Sequence, residues 1–245
     1  MKKLNRHKAL ILAFAILPIL FCGRAAADIT IYPMSAIVDS SGSAQISAFT
    51  NADKTEFVKT QIKKVSNPGS AQEYETAINP AEGSGLMVAP AKFALSPGAT
   101  KIIRLVNMKP VQTETIYRVY FENVKNLEQA AERTQQQASL GVNVIWGVLV
   151  YVPPAEPKID FTFDHKNLKI TNTGNIHLKI SSVGFCPDKN TSKDCVWSKE
   201  VKKAIYPGQQ KQLSAEEFNG NKYAAVRIKY TNWVEKTSAE KVFVQ

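Results

Sequence analysis

Histidine and cysteine are scarce in this 245-residue chain, with three of each: His7, His165 and His177, and Cys22, Cys186 and Cys195. Three cysteines cannot build a disulfide framework or a multi-zinc module, and three scattered histidines argue against a metal or haem centre. Also lacking are G-x-S-x-G, H-E-x-x-H, C-x-x-C and Walker-type strings. The glycines of Gly83-Ser84-Gly85 sit in a polar stretch and do not precede a helix. With no clustered acid, base or nucleophile pattern, the expectation is a binding or structural protein, not an enzyme, with no cofactor and no metal. His165 and His177 read as surface histidines, and Asp160 with Asp164 as the solvent face of a strand. What is present is ordinary globular composition: 44% hydrophobic and 21% charged residues, with 12 Gly and 12 Pro.

The first 27 residues read as an export signal. Lys2, Lys3, Arg6 and Lys8 form a basic start. The apolar run over 9–21 is too short for a comfortable membrane span. Ala25 and Ala27 supply an A-x-A pattern, which predicts cleavage after Ala27. Phe21 ahead of Cys22 speaks against lipid attachment at that cysteine. No later stretch reaches about 18 consecutive apolar residues, so membrane insertion is not expected. The segment carries five of the 31 basic residues and none of the 21 acidic ones, which leaves a net charge of +5. That charge is spread in short runs such as Lys63-Lys64 and Lys202-Lys203. Such runs read as solvated strand faces and not as a nucleic-acid surface. Export also predicts a disulfide between the two remaining cysteines, Cys186 and Cys195.

The remainder reads as two all-β domains. Apolar blocks at 45–49, 57–65, 85–89, 101–106, 115–124 and 140–152 are separated by turn signals such as Asn67-Pro68-Gly69 and Ser96-Pro97-Gly98. Spacings near ten residues with Pro and Gly punctuation predict an immunoglobulin-like sandwich over 28–153. The polar stretch 127–137 reads as a long loop. Pro153, Pro154 and Pro157 stiffen a short joint. A second sandwich over 154–245 follows, with strands at 159–163, 168–171, 177–183, 196–197, 210–213 and 223–230. Two sandwiches so joined should meet at an angle and leave a cleft.

The segment 140–152 is the most informative. Leu140, Val142, Val144, Trp146, Val148, Val150 and Val152 share one parity over a stretch longer than a usual strand. A core role accounts for 148–152 but less well for 140–144. An apolar strand that outruns its own sheet invites pairing with another chain.

At this point the chain resembles a family. The string 95–105 (Leu95-Ser96-Pro97-Gly98 through Ile102-Ile103-Arg104-Leu105), Tyr117-Arg118-Val119-Tyr120-Phe121-Glu122 and the long strand through Asn143 are similar to the periplasmic chaperones of the chaperone–usher pathway for fimbriae. So are Thr171-Asn172-Thr173-Gly174-Asn175, the Cys186/Cys195 pair and Tyr206-Pro207-Gly208. The combination looks most like the alternate branch, typified by colonisation-factor pili. The resemblance implies two immunoglobulin-like domains in an L or boomerang shape. It implies a periplasmic location and the binding of incomplete pilin subunits, major or tip adhesin, for delivery to an outer-membrane usher. The long edge strand would complete the subunit's open sandwich by β-augmentation, with Leu140, Val142 and Val144 as donor side chains and Ile145 joining if a bulge shifts the register. The same edge is a route to self-association.

The sequence departs from the best-known members at their carboxylate anchor. Ser35 falls about where they place an Arg, and Val148 or a near neighbour where they place a Lys. Arg118 and Arg104 belong to the matching strings, and a guanidinium offers a carboxylate a bidentate fork. The expectation therefore moves the anchor to Arg118, with Arg104 assisting. The competing role for each is an exposed strand residue or an internal salt bridge, for example with Glu114 or Glu122. Two other functional readings stay open: a structural fimbrial subunit or adhesin, and a secreted enzyme on a β-sandwich.

Overall fold

The computed structural model of the chain describes residues 29–79, 83, 85–124, 144–198, 204–213 and 223–245, and all of their regular structure is strand. The first sandwich pairs two sheets. One runs in the order β1 (Thr30–Tyr32), β3 (Ser43–Phe49), β8 (Thr100–Asn107), β6 (Leu86–Ala89). The other runs β2 (Ser35–Ile37), β10 (Ile145–Val152), β9 (Thr115–Asn123), β4 (Glu56–Ser66), β5 (Tyr74–Ala77), with β7 (Lys92–Leu95) also on β4. The reason is legible residue by residue. Strand side chains alternate faces, and Tyr117, Val119 and Phe121 of β9 are buried while Arg118, Tyr120 and Glu122 are not. On β10 the core-facing set is Val148, Val150 and Val152, all buried among Ile46, Val58, Leu105 and their neighbours, with Trp146 packed against that core.

A second core gathers Phe161, Ile170, Leu178, Val183, Phe185, Val226 and Ile228. Its sheets are β11 (Phe161–Asp164), β12 (Lys169–Asn172), β15 (Gln210–Gln212), and β14 (Val196–Trp197), β13 (Lys179–Cys186), β16 (Ala225–Asn232), β17 (Thr237–Val244). The all-β, two-sandwich expectation thus holds. Cys186 at the end of β13 is bonded to Cys195, as export predicted.

The string Thr171-Asn172-Thr173-Gly174-Asn175 explains itself in structure. Asn172 is buried, and its amide donates to the carbonyls of Ile176 and Ile205 while its Oδ1 accepts from the N–H of Gly174. A Cβ on Gly174 would lie 2.3 Å from the carbonyl oxygen of Lys158, so only glycine lets the linker pass. Asn175 then ties that linker down, accepting from the N–H of Lys158 at 2.6 Å and donating to the carbonyl of Glu156 at 2.9 Å.

Two readings are corrected or bounded. His177 is not a surface histidine; it is only 2% exposed. The long strand begins, among the described residues, at Ile145; Leu140, Val142 and the loop 127–137 lie outside them.

Candidate functional site

The outward face of the β4–β9–β10 sheet is built in cross-strand rows. Antiparallel register aligns Val65, Ile116 and Tyr151 in one row, and Lys63, Arg118 and Leu149 in the next. Gln61, Tyr120 and Gly147 follow, and then Lys59, Glu122 and Ile145.

The first row is where the two domains meet. Tyr151 packs its ring against His177 and Trp233 of the second domain. His177 stacks on Trp233 with centroids 4.5 Å apart. Its backbone N–H and its Nδ1 both bond the buried carboxylate of Glu114, at 2.8 and 2.7 Å. The N–H of Glu114 donates to the carbonyl of Asn175. At the far edge of the sheet, Gln209 donates to the carbonyl of Pro68 at 2.9 Å, and Tyr206 packs beneath Gly69. Burial pushes the Tyr206 hydroxyl up, so it stays a neutral donor.

Arg118 sits one row out from this junction. Its guanidinium bonds Glu75 of β5 directly and Glu73 at 3.4 Å. The Tyr120 hydroxyl lies 2.9 and 2.8 Å from the two Glu75 oxygens, and Lys63 Nζ lies 3.4 Å from one of them. Burial pushes the Glu75 carboxyl up, but the Tyr120 hydroxyl, Arg118 and Lys63 together hold it below the usual carboxylate range. Gly147 makes the room: a Cβ there would press on Arg118 Cδ and Tyr120 Cε1, each at 3.3 Å. Beyond the cluster a shallow cavity of about 250 Å3 opens between Lys59, Gln61, Lys63, Tyr120, Glu122 and Ile145.

The edge of this sheet is half covered. β2 lies parallel to β10 but pairs only with Leu149, Val150 and Tyr151. Over 145–148, β10 pairs with β9 on one side, and among the described residues no strand pairs with its other side. Ile145 is 52% exposed and Val144 41%. Val144 shares its parity with the core-facing Trp146 and Val148, so the apolar stripe of the domain's own core continues past the point where that core ends. Trp146 Nε1 donates to the carbonyl of Ile29, fixing the last core position of the stripe.

No protein-family model matches the chain. Among solved structures it is similar to the class 5 fimbriae chaperone CfaA, with 30% identity, a TM-score of 0.73, and coverage of 89% of this chain and 99% of that one. The chain belongs to the fimbrial chaperones of the colonisation-factor type. Two curated fimbrial proteins of Escherichia coli are similar along most of their length. One, of CFA/I fimbriae, is 33% identical over 208 residues, 83% of this chain and 85% of that protein. The other, of CS1 fimbriae, is 34% identical over 189 residues, 75% of this chain and 79% of that protein. A solved chaperone–tip adhesin complex of CFA/I fimbriae biogenesis aligns with a TM-score of 0.70 and 30% identity over 88% of this chain. The near-complete match to a solved chaperone favours that function over a structural subunit.

Within the fimbrial chaperone, the residues singled out from sequence fall in different places. Arg118 lies on the outward face beside the domain junction. Arg104, flanked by the buried Ile103 and Leu105, leaves β8 on the outer face of the other sheet. The two arginines are therefore not brought together. Ser35 pairs with Leu149, and Val148 is buried in the core. Neither Glu114 nor Glu122 pairs with Arg118: Glu114 holds His177, and Glu122 holds Lys59 at 2.9 Å. The Glu75–Tyr120–Lys63 surroundings of Arg118 were not foreseen. β5 reads Tyr74-Glu75-Thr76-Ala77, without the apolar alternation that marks a strand.

Proposed function

We propose that this chaperone stabilises incomplete pilin subunits, major or tip adhesin, by laying its β10 edge into their open sandwich and releasing them to an outer-membrane usher. The single observation that supports this is the one-sided pairing of β10 over 145–148, with the apolar stripe running on through Val144. A subunit strand added there gains main-chain bonds, while Leu140, Val142 and Val144 fill its groove. Each large apolar side chain so buried contributes roughly 1.5–3 kcal/mol. No bond is made or cleaved in this process. The similar chaperone–tip adhesin complex is consistent with a partner drawn from the fimbria itself.

Arg118 is the proposed anchor for the subunit's terminal carboxylate; Arg104, on the other outer face, serves no carboxylate held there. The chain is read as exported with residues 1–27 removed. It would work in the periplasm, with a pilin-binding domain over 28–153 and a disulfide-bonded domain over 154–245.

Co-expression with fimbrial subunits tests the edge. Val144→Glu should give a folded, soluble chaperone that no longer yields a soluble 1:1 complex. If folded Val144→Glu still yields the complex, β10 is not the donor. Arg118→Ala should lose subunit recovery while staying folded; a much lower melting temperature instead assigns Arg118 to scaffolding alone.

A further inference from the structure

The proposed anchor is already occupied. Arg118 does not wait as a bare cation: Glu75 fills its guanidinium, with Glu73 at 3.4 Å from Nη2 and Lys63 on the far side of the Glu75 carboxylate. The Arg118 side chain is 29% exposed and that of Glu75 16%, so the pair is neither buried past reach nor free in water. Tyr120 adds its hydroxyl, and its ring takes the Lys63 ammonium at 4.9 Å. Two cations and one phenol around one carboxylate form a binding site for an anion of that chemistry, and the chain's own side chain is in it.

We infer that Glu75 is a stand-in carboxylate that holds the anchor closed in the free chaperone and is displaced by the terminal carboxylate of an arriving subunit. This rests on the reading of Arg118 as the anchor. The exchange conserves charge, since one carboxylate leaves as another enters, so neither Arg118 nor Lys63 is ever left uncompensated. Release of Glu75 is favoured because β5 is a four-residue strand that, among the described residues, pairs with β4 alone at the edge of its sheet. Tyr120 and Lys63 stay behind to receive the newcomer. Glu73, the more distant partner of Arg118, is held in place from behind. Its second oxygen accepts the N–H of Gly69 at 2.7 Å, which shapes the turn that touches Tyr206. Glu75 is therefore a specificity-determining competitor. It bars weak or misplaced anions and yields to a carboxylate delivered together with a strand on β10.

The test uses the full mature chaperone and a defined probe, the peptide acetyl-Val-Thr-Val-Tyr, as the free acid and as the C-terminal amide. Binding is followed by isothermal titration calorimetry, which reads every variant alike. Glu75→Gln should bind the acid about tenfold more tightly than wild type and leave the amide unchanged, since a competing charge has been removed. Arg118→Ala added to Glu75→Gln should abolish the gain. Glu75→Ala, which removes the same charge and leaves Tyr120 and Lys63 in place, gives a second route and should also tighten the acid. If wild type prefers the acid but neither Glu75→Gln nor Glu75→Ala tightens it, Glu75 is a buttress and the stand-in role is wrong while the anchor survives. If neither wild type nor Glu75→Gln tells acid from amide, the anchor itself is wrong and the inference falls with it.

Discussion

Glu114 of the first domain and His177 of the second meet at 2.7 Å, both side chains withdrawn from water. Glu114 also accepts the backbone N–H of His177, and the carbonyl of His177 accepts from Trp233 Nε1 at 3.1 Å. The domain junction is thus held by directional bonds as much as by apolar contact, and each has a donor that cannot turn to solvent instead.

Removing that carboxylate leaves two buried donors without partners, at about 1–3 kcal/mol each. Glu114→Ala should therefore lower unfolding free energy by roughly 2–6 kcal/mol, read by urea denaturation. Glu114→Gln, which keeps one acceptor, should lose about half as much. A neutral Glu114→Ala would mean the junction does not need this bond.

The stripe on β10 changes role between Val148 and Val144. Val148 is fully buried and Val144 is 41% exposed. Val148→Ala should cost about 2 kcal/mol of stability through the cavity it leaves. Val144→Ala should stay within about 0.5 kcal/mol of wild type. Equal losses at both positions would place Val144 inside the domain's own core.

The Cys186–Cys195 bond closes a ring of sequence separation 9. Chain-entropy arithmetic for so small a ring gives about 2–3 kcal/mol. Thiol titration of the unreduced, mature protein should find no free thiol, and Cys195→Ser should lower the melting temperature of the second domain. Two titratable thiols would contradict the bond.

Glu75 supplies a pH dependence with a definite sign. Its folded value lies below its ordinary one because Tyr120, Arg118 and Lys63 outweigh the opposing effect of burial. Its contribution is therefore complete above the unfolded value of about 4.3 and is lost as the pH falls through the folded value. Wild type should melt above Glu75→Gln near neutrality, and the gap should close on acidification to about pH 2. A gap that widens in acid would reverse the assignment.

The fold was legible wherever apolar residues alternate. The blocks at 57–65 and 115–124 became β4 and β9 almost unchanged, because half-buried strands must alternate faces. β17 was not foreseen: Thr237–Val244 is mostly exposed and begins with a polar half, and it is a strand because β16 pairs with all of it. Arg118 was legible as a candidate because its string is distinctive. Its partner Glu75 was not, since 43 residues separate the two and only the β4–β5 register brings them together. His177 was misjudged for a related reason. Nothing in its neighbourhood along the chain reveals that Glu114 and Trp233 enclose it.

The bond from Trp146 to the carbonyl of Ile29 has a practical side for anyone preparing this protein. It fixes the residue before β1 within one side chain's reach of the half of β10 that, among the described residues, pairs with β9 alone. A fusion or affinity label at the start of the exported chain, next to Ile29, would emerge beside the proposed docking edge, where its own backbone can compete for the ladder. Binding measurements are better made with the label on an exposed turn of the second domain, such as that around Asn190.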